Sequence, residues 1–273
     1  MQQYFGTSKK DNIIKLNSND FNHIKNVMRM KVNTKIIVVY EDISYICTLN
    51  NDLESATIES IFKEKNNTNE FLAYIPLLSE EKMSFILQHG TELGISKFIV
   101  VQYNHCKYKL KQNDFDKKLI RWNKILKEAS EQCYRIDKPE VEKIIDVKDI
   151  QICKGVNILC SLDKDNVNSI VNVLTQSNCN DTINIVFGPE GGLSKIEEDI
   201  LVEKGYTKTS LGTDVLRTET VPLMIASIVK YLKECGNNGK IWSIYAKFYE
   251  WRLFLNILSI NASNIISSCF STC

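Results

Sequence analysis

The chain has 273 residues, 34 of them Lys or Arg against 33 Asp or Glu, and 44% of its side chains are hydrophobic. That length suffices for two domains with a proper core, and a net charge of +1 does not by itself announce nucleic acid. No apolar run reaches the roughly 18 residues of a membrane span. The nine cysteines show no CxxC spacing, so neither a zinc site nor a redox pair is indicated, and free thiols in a reducing cytoplasm are the expectation.

Residues 1–70 read as a small β-rich domain. Lys35–Tyr40 (KIIVVY), Ile43–Leu49 (ISYICTL) and Ser55–Phe62 (SATIESIF) are successive short strands, the first two joined by a tight turn at Glu41-Asp42. Ahead of them, Asp20–Met30 predicts a short helix with Phe21, Ile24 and Met28 inward. Asn33 marks a turn, because Asn tolerates left-handed backbone better than other non-glycine residues. Lys25, Arg29 and Lys31 form a basic patch, read either as a solvated face or as a phosphate contact. Asn66–Glu70 (NNTNE) is the clearest linker.

From Phe71 to Cys235, strands and helices alternate, which predicts an α/β domain with a largely parallel sheet. Phe71–Leu78, Phe98–Tyr103, Asn157–Ser161 and Thr182–Phe187 read as core strands. Glu81–Leu93 and Phe115–Ala129 read as amphipathic helices, the second with Phe115, Leu119, Trp122, Leu126 and Ala129 on one side and lysines on the other. Residues 107–127 carry the densest run of positive charge, which either faces water or tracks phosphates. His89 packs or faces water rather than catalyses. After Gly236-Asn237-Asn238-Gly239, the tail to Cys273 shows no clear period and is assigned no role.

The densest loop chemistry lies in Val186–Thr220. A strand stops at FGPEGGLS, where Gly191-Gly192 allows positive φ and close approach of backbone to a ligand. Ser194 and Glu197 have capping-box spacing, so a helix starts at Lys195, with Ile196, Ile200 and Leu201 as its apolar stripe and Gly205 as its end. A second short strand, Thr209–Leu211, runs into SLGTDVLRTET and then a helix with Pro222 in its first turn. Two strand-to-helix loops side by side present backbone groups to a cofactor, or are two tight connections with no ligand; glycine spacing alone leaves both open.

GPEGGLS followed by SLGTDVLRTET resembles the cofactor loops of the RsmE family, ribosomal RNA small-subunit methyltransferases of the SPOUT (α/β-knot) superfamily. Two more blocks match in order: Glu81-Lys82-Met83…Gln88…Thr91-Glu92-Leu93-Gly94-Ile95-Ser96, and Lys118-Leu119…Arg121-Trp122…Glu128-Ala129…Glu131-Gln132…Arg135…Pro139. The resemblance runs from about Met1 to Cys235. It implies a PUA-like β-barrel over residues 1–70, which holds RNA, and a trefoil-knot methyltransferase domain over residues 71–235. The activity implied is methylation of uridine N3 in 16S rRNA with S-adenosyl-L-methionine, by a cytoplasmic homodimer with no metal.

On that reading the cofactor contacts are Leu162, in a third loop at Leu162–Asp165, then Phe187, Gly188, Pro189, Glu190 and Gly191, and then Ser210, Leu211, Gly212, Val215, Leu216 and Arg217. Arg217 is the expected catalytic cation, stabilising the uridine anion, with Glu219 or Glu190 as base or orienting group. Glu219 also reads simply as a helix-start acid. RNA contacts are expected at Arg29, Lys25, Lys31 and Arg135. Two departures stand out: Gln3 replaces the usual basic residue, which removes one RNA contact, and Tyr134 replaces a small residue beside the cleft. Two alternatives remain open: a SPOUT enzyme acting on another RNA position, including ribose 2′-O, and a non-catalytic ribosome-associated RNA binder.

Overall fold

The computed structural model describes residues 1–65, 70–163, 167–175 and 181–236. Most of the expected linker, part of the third loop and the tail after Gly236 lie outside these residues.

The N-terminal part is a sheet in the order β1-β4-β5-β6-β3-β2, made of β1 (Gln3–Phe5), β2 (Ser8–Lys10), β3 (Ile13–Lys15), β4 (Lys35–Tyr40), β5 (Ile43–Leu49) and β6 (Ser55–Glu64). Its two end strands are halves of one bent segment. β1 runs parallel to β4 and β2 antiparallel to β3. Across the bend, Gly6 N–H donates to Val39 O and Thr7 N–H to Lys15 O, both at 2.8 Å, so the sheet closes on itself. The bend needs glycine: a Cβ at Gly6 would lie 2.3 Å from Ile14 Cγ2. Closure removes both free edges and wraps the strands round Tyr4, Ile14, Ile36, Val38, Cys47, Leu49 and Ala56. Asn33 has φ 65° and Glu41 φ 54°, at the two expected turns.

The helix expected over Asp20–Met30 is different. It is α-helical only over α1 (Ser18–Asn22) and continues as one π-helical turn, His23–Val27. The wider turn breaks the 3.6-residue stripe. Ile24 is buried, while Phe21 is half-buried and Met28 is exposed.

The second sheet is wholly parallel, in the order β11-β13-β10-β12-β7-β8-β9. Its strands are β7 (Phe71–Pro76), β8 (Lys97–Gln102), β9 (Glu140–Asp146), β10 (Gly155–Cys160), β11 (Asn168–Ser169), β12 (Thr182–Val186) and β13 (Thr207–Ser210). The central runs FLAYIP, KFIVVQ and TINIV are apolar almost without alternation because helices cover the sheet. The helices of this part are α2 (Glu80–Glu92), α3 (Gln112–Gln132), α4 (Ile170–Thr175) and α5 (Lys195–Glu203), and α6 (Val221–Gly236) follows them in the chain. α2 lies close on β8: a Cβ at Gly90 would be 3.0 Å from the Phe98 ring. α3 buries Phe115, Trp122, Leu126 and Ala129 as its spacing predicts.

α5 carries its capping box, Ser194 with Glu197. The expected Ile196 stripe is wrong. Glu197 turns inward to accept from Ser194 N–H (2.8 Å) and Asn104 N–H (2.7 Å), so the buried face is Glu197 and Leu201, and Ile196 is left 70% exposed.

Three residues named above for RNA or the cleft, Arg135, Gln3 and Tyr134, have partners within the protein. Arg135 is not a free cation: its Nη1 donates to Thr91 O (2.7 Å) and Ile95 O (2.9 Å), and its other nitrogens pair with Asp137. It ties the end of α2 to the turn after α3 and has few donors left for phosphate. Gln3 is fully buried, and its Nε2 donates to Arg135 O at 2.7 Å, so that position faces the protein interior. Tyr134, at φ 56°, reaches Met1 O (2.6 Å) and packs beside Phe62. It fastens the N-terminus. The lysine face of α3 is partly neutralised, since Lys118 and Arg121 meet Glu80, and Lys127 joins Asp20 and Glu131.

Candidate active site at the carboxyl ends of the parallel strands

In open parallel sheets, ligands bind beyond the strands' carboxyl ends, where strand order reverses. Here β10, β12 and β13 are neighbours, and their carboxyl ends carry the three loops singled out above. A concave site of about 510 Å³ opens between those loops.

The wall after β12 is shaped by glycine. A Cβ at Gly188 would sit 2.9 Å from the backbone of Gly192 and Leu193, so only glycine lets the loop fold on itself. Gly192 has φ 70°, and its N–H donates to Pro189 O at 2.9 Å. The loop after β8 props this wall from outside. His105 Nδ1 lies 3.1 Å from Gly191 O and 3.2 Å from Gly192 O. Carbonyls only accept, so Nδ1 carries the proton. Asn104 Nδ2 donates to Ser194 Oγ at 3.2 Å.

The wall after β13 turns at Gly212, whose φ of 133° suits glycine alone. Ser210 Oγ donates to Gly212 O at 3.0 Å and holds the turn. The third loop is fixed by charge: Lys208 Nζ meets Glu198 (2.6 Å) and Asp163 (3.3 Å), while Ser161 Oγ donates to Glu198 (3.0 Å). The Glu198 contact, followed by Asp163, pushes the Lys208 ammonium above its ordinary range. Cys160 also lines the site, but burial pushes its thiol up to about 12, so it is a wall and not a nucleophile.

Leu162, Phe187, Gly188, Pro189 and Gly191 line the cavity, as do Ser210, Leu211, Gly212, Val215 and Leu216. The expected cofactor contacts Glu190 and Arg217 do not. Arg217 is exposed between two lining residues, Leu216 and Thr218. Glu190 turns away to Lys82, 3.0 Å from its ammonium. Glu219 is held by the same ammonium at 3.0 Å. Its Oε2 is buried and lies off the direction of an aligned hydrogen bond, so charge is what binds it. Burial raises the Glu190 carboxyl, but its own backbone N–H and Lys82 outweigh that and hold it below the ordinary carboxylate range.

Sequence reasoning placed Asp163 in the third loop without giving it a role, and missed Glu198 as a lining group and Lys82 as the joint between the loops. Only the tertiary pairing with Lys208 and the approach of α2 reveal them. Lys25, Arg29 and Lys31 are all exposed on the first domain, with Lys25 Nζ 5.2 Å from the Phe21 ring centre. Among the described residues no group of His, Cys, Asp and Glu could hold a metal, and no helix is long and apolar enough to cross a membrane.

Known proteins are similar to this chain. An RNA methyltransferase domain family matches residues 64–230, and an RNA methyltransferase PUA domain family matches residues 16–59. The ribosomal RNA small subunit methyltransferase E of Bacillus subtilis (strain 168) is 32% identical over 256 residues, covering 86% of this chain and 98% of that protein. The protein of the same name from Mesomycoplasma hyopneumoniae (strain 232) is 28% identical, over 86% of this chain and 100% of that one. Among solved structures, a ribosomal RNA small subunit methyltransferase E from Neisseria gonorrhoeae bound to S-adenosyl methionine superposes with a TM-score of 0.73. It has 25% identity and covers 85% of this chain and 98% of its own.

Proposed function

We propose that this chain, which belongs to the ribosomal RNA small subunit methyltransferase E family, transfers a methyl group from S-adenosyl-L-methionine to N3 of one uridine in 16S rRNA of the small ribosomal subunit. The observation that carries this reading is the cavity between two glycine-shaped loops at the carboxyl ends of β10, β12 and β13. Its volume falls in the range of small-molecule sites, roughly 300–1,000 Å³. Its composition suits a nucleoside joined to an amino acid. Leu162, Leu211, Val215 and Leu216 offer apolar walls for a base, and Asp163 and Glu198 offer carboxylates to hydroxyl or ammonium donors.

When bound, S-adenosyl-L-methionine supplies a methyl group on a positively charged sulfur. The backbone of Gly188–Gly191, Ser210–Gly212 and Val215-Leu216 would hold and orient it for transfer to the acceptor. Uracil N3 bears a proton at neutral pH and is engaged in base pairing, so the base must be unpaired first. A carboxylate, Glu219 or Glu190, takes that proton, and Arg217 stabilises the negative charge left on the base. The exposed position of Arg217, outside the cavity lining, suits a group that faces the RNA.

On this reading residues 1–70 hold RNA, with Lys25, Arg29 and Lys31 on its phosphates, and residues 71–235 form the methyltransferase domain, with a trefoil knot in its C-terminal part. The working form is a cytoplasmic homodimer, as the family resemblance implies. The test is tritium transfer from labelled cofactor to small subunits that lack the mark, with the product nucleoside mapped by mass spectrometry. N3-methyluridine is expected. A 2′-O-methyl nucleoside as sole product would overturn the acceptor, and failure to bind the cofactor in calorimetry would favour a non-catalytic RNA binder. Arg217→Ala should lose about 100-fold or more in kcat while still binding cofactor.

A further inference from the structure

Lys82 stands in the first turn of α2, and its place is fixed by its neighbour Met83, which is fully buried against the sheet. Its ammonium is 3.0 Å from Glu190 Oε1 and 3.0 Å from Glu219 Oε2. Glu190 sits between Pro189 and Gly191, which line one wall of the cavity, and Glu219 follows Thr218, which lines the other. One cation therefore joins the two loops whose spacing makes the site. α2 contributes nothing to the cavity lining itself.

We infer that Lys82 is a positioning residue of the methyl-transfer reaction: it clamps Glu190 and Glu219 together, so that Glu219 is presented as the proton acceptor. This rests on the proposed function. Glu219 is the better-enclosed member of the pair, its side chain 15% exposed against 45% for Glu190. Lys82 engages Oε2 of Glu219, which leaves Oε1 to receive the N3 proton.

The electrostatics agree with the geometry. Glu190, then Glu219, raises the Lys82 ammonium above its ordinary range, so the clamp stays charged. Glu190 also feels Lys107 from the loop after β8, and its charge in turn raises the nearby Cys106 thiol, for which burial is the larger cause. Glu219 has Lys82 as its ion-pair partner among the described residues. Two carboxylates without the shared cation would repel, and the second proton would be held more tightly.

The test uses the full chain as wild type, Lys82→Met and Lys82→Arg. The first readout is a carbon-13 NMR titration of the Glu190 and Glu219 carboxyls, and the second is the pH profile of kcat for methyl transfer to unmethylated small subunits. In Lys82→Met one carboxyl should titrate about one unit or more higher. The acid limb of kcat should move up with it, and the plateau at high pH should fall about threefold or more because Glu219 is no longer held in place, while KM stays within about twofold. Lys82→Arg should restore the wild-type midpoint. An unmoved midpoint with a lowered plateau would mean that Lys82 only supports the fold, and would overturn the inference. If the wild type transfers no methyl group, the proposed function fails, yet the carboxyl titration still decides whether the clamp exists. Should the Met variant not fold, Lys82→Gln removes the charge while keeping a polar side chain, and the same shift is required of it.

Discussion

Replacing Glu131 with Gln should remove a pH dependence of stability built into the junction between β1 and α3. Glu131 is 8% exposed and lies 3.1 Å from Lys127, which also bridges to Asp20 of α1. Burial pushes the Glu131 carboxyl from 4.5 up to about 7, more than the adjacent ammonium pulls it down. A folded-state value above the unfolded one means that the native protein holds this proton more tightly. The associated stability is fully present below about pH 4.5 and is lost as pH rises through about 7. At about 1.4 kcal/mol per unit, the shift sets a ceiling of about 3.5 kcal/mol. Gln keeps the shape and cannot ionise, so Glu131→Gln should gain on the wild type steadily across this window. Urea unfolding followed by circular dichroism at pH 5, 6, 7 and 8 measures the difference. If the two proteins keep a constant gap at all four values, Glu131 does not titrate in this window and the reasoning fails.

Two further outcomes follow from the local geometry. Gly188→Ala places a Cβ 2.9 Å from backbone atoms of Gly192 and Leu193. Backbone cannot step aside as a flexible side chain does, so about 1–3 kcal/mol of overpacking should distort the wall and weaken cofactor binding about tenfold or more by calorimetry; an unchanged Kd would show that this wall does not meet the cofactor. Arg135→Ala leaves Thr91 O, Ile95 O and Asp137 without their partner. It should cost about 2–4 kcal/mol in urea unfolding and leave the salt dependence of RNA binding unchanged, whereas a shallower salt slope would restore Arg135 as a phosphate contact.

Much of the architecture was legible because it rests on local rules. Apolar β-branched runs named β7, β8, β10 and β12 but not β9 or β11, 3.6-residue spacing named the face of α3, and Ser194 with Glu197 named the start of α5. The local π-turn apart, the misreadings involve a residue captured by something distant in sequence. A π-turn displaced Met28, and Asn104 drew Glu197 inward and so turned Ile196 out. The backbone of Thr91 and Ile95 took the guanidinium of Arg135, and the chain around Arg135 took the Gln3 amide.

The sequence by itself determined where the loops of the site begin and end, because glycine, proline and capping residues act on their own few neighbours. It also carried the family match through ordered blocks of such residues. Only the tertiary structure decided which charges meet. Lys82 lies more than a hundred residues from Glu190 and Glu219, and Lys208 stands far along the chain from Asp163. Electrostatic partnership depends on distance in space, and the chain order of a parallel sheet with long crossovers leaves that distance unspecified until the strands are in register.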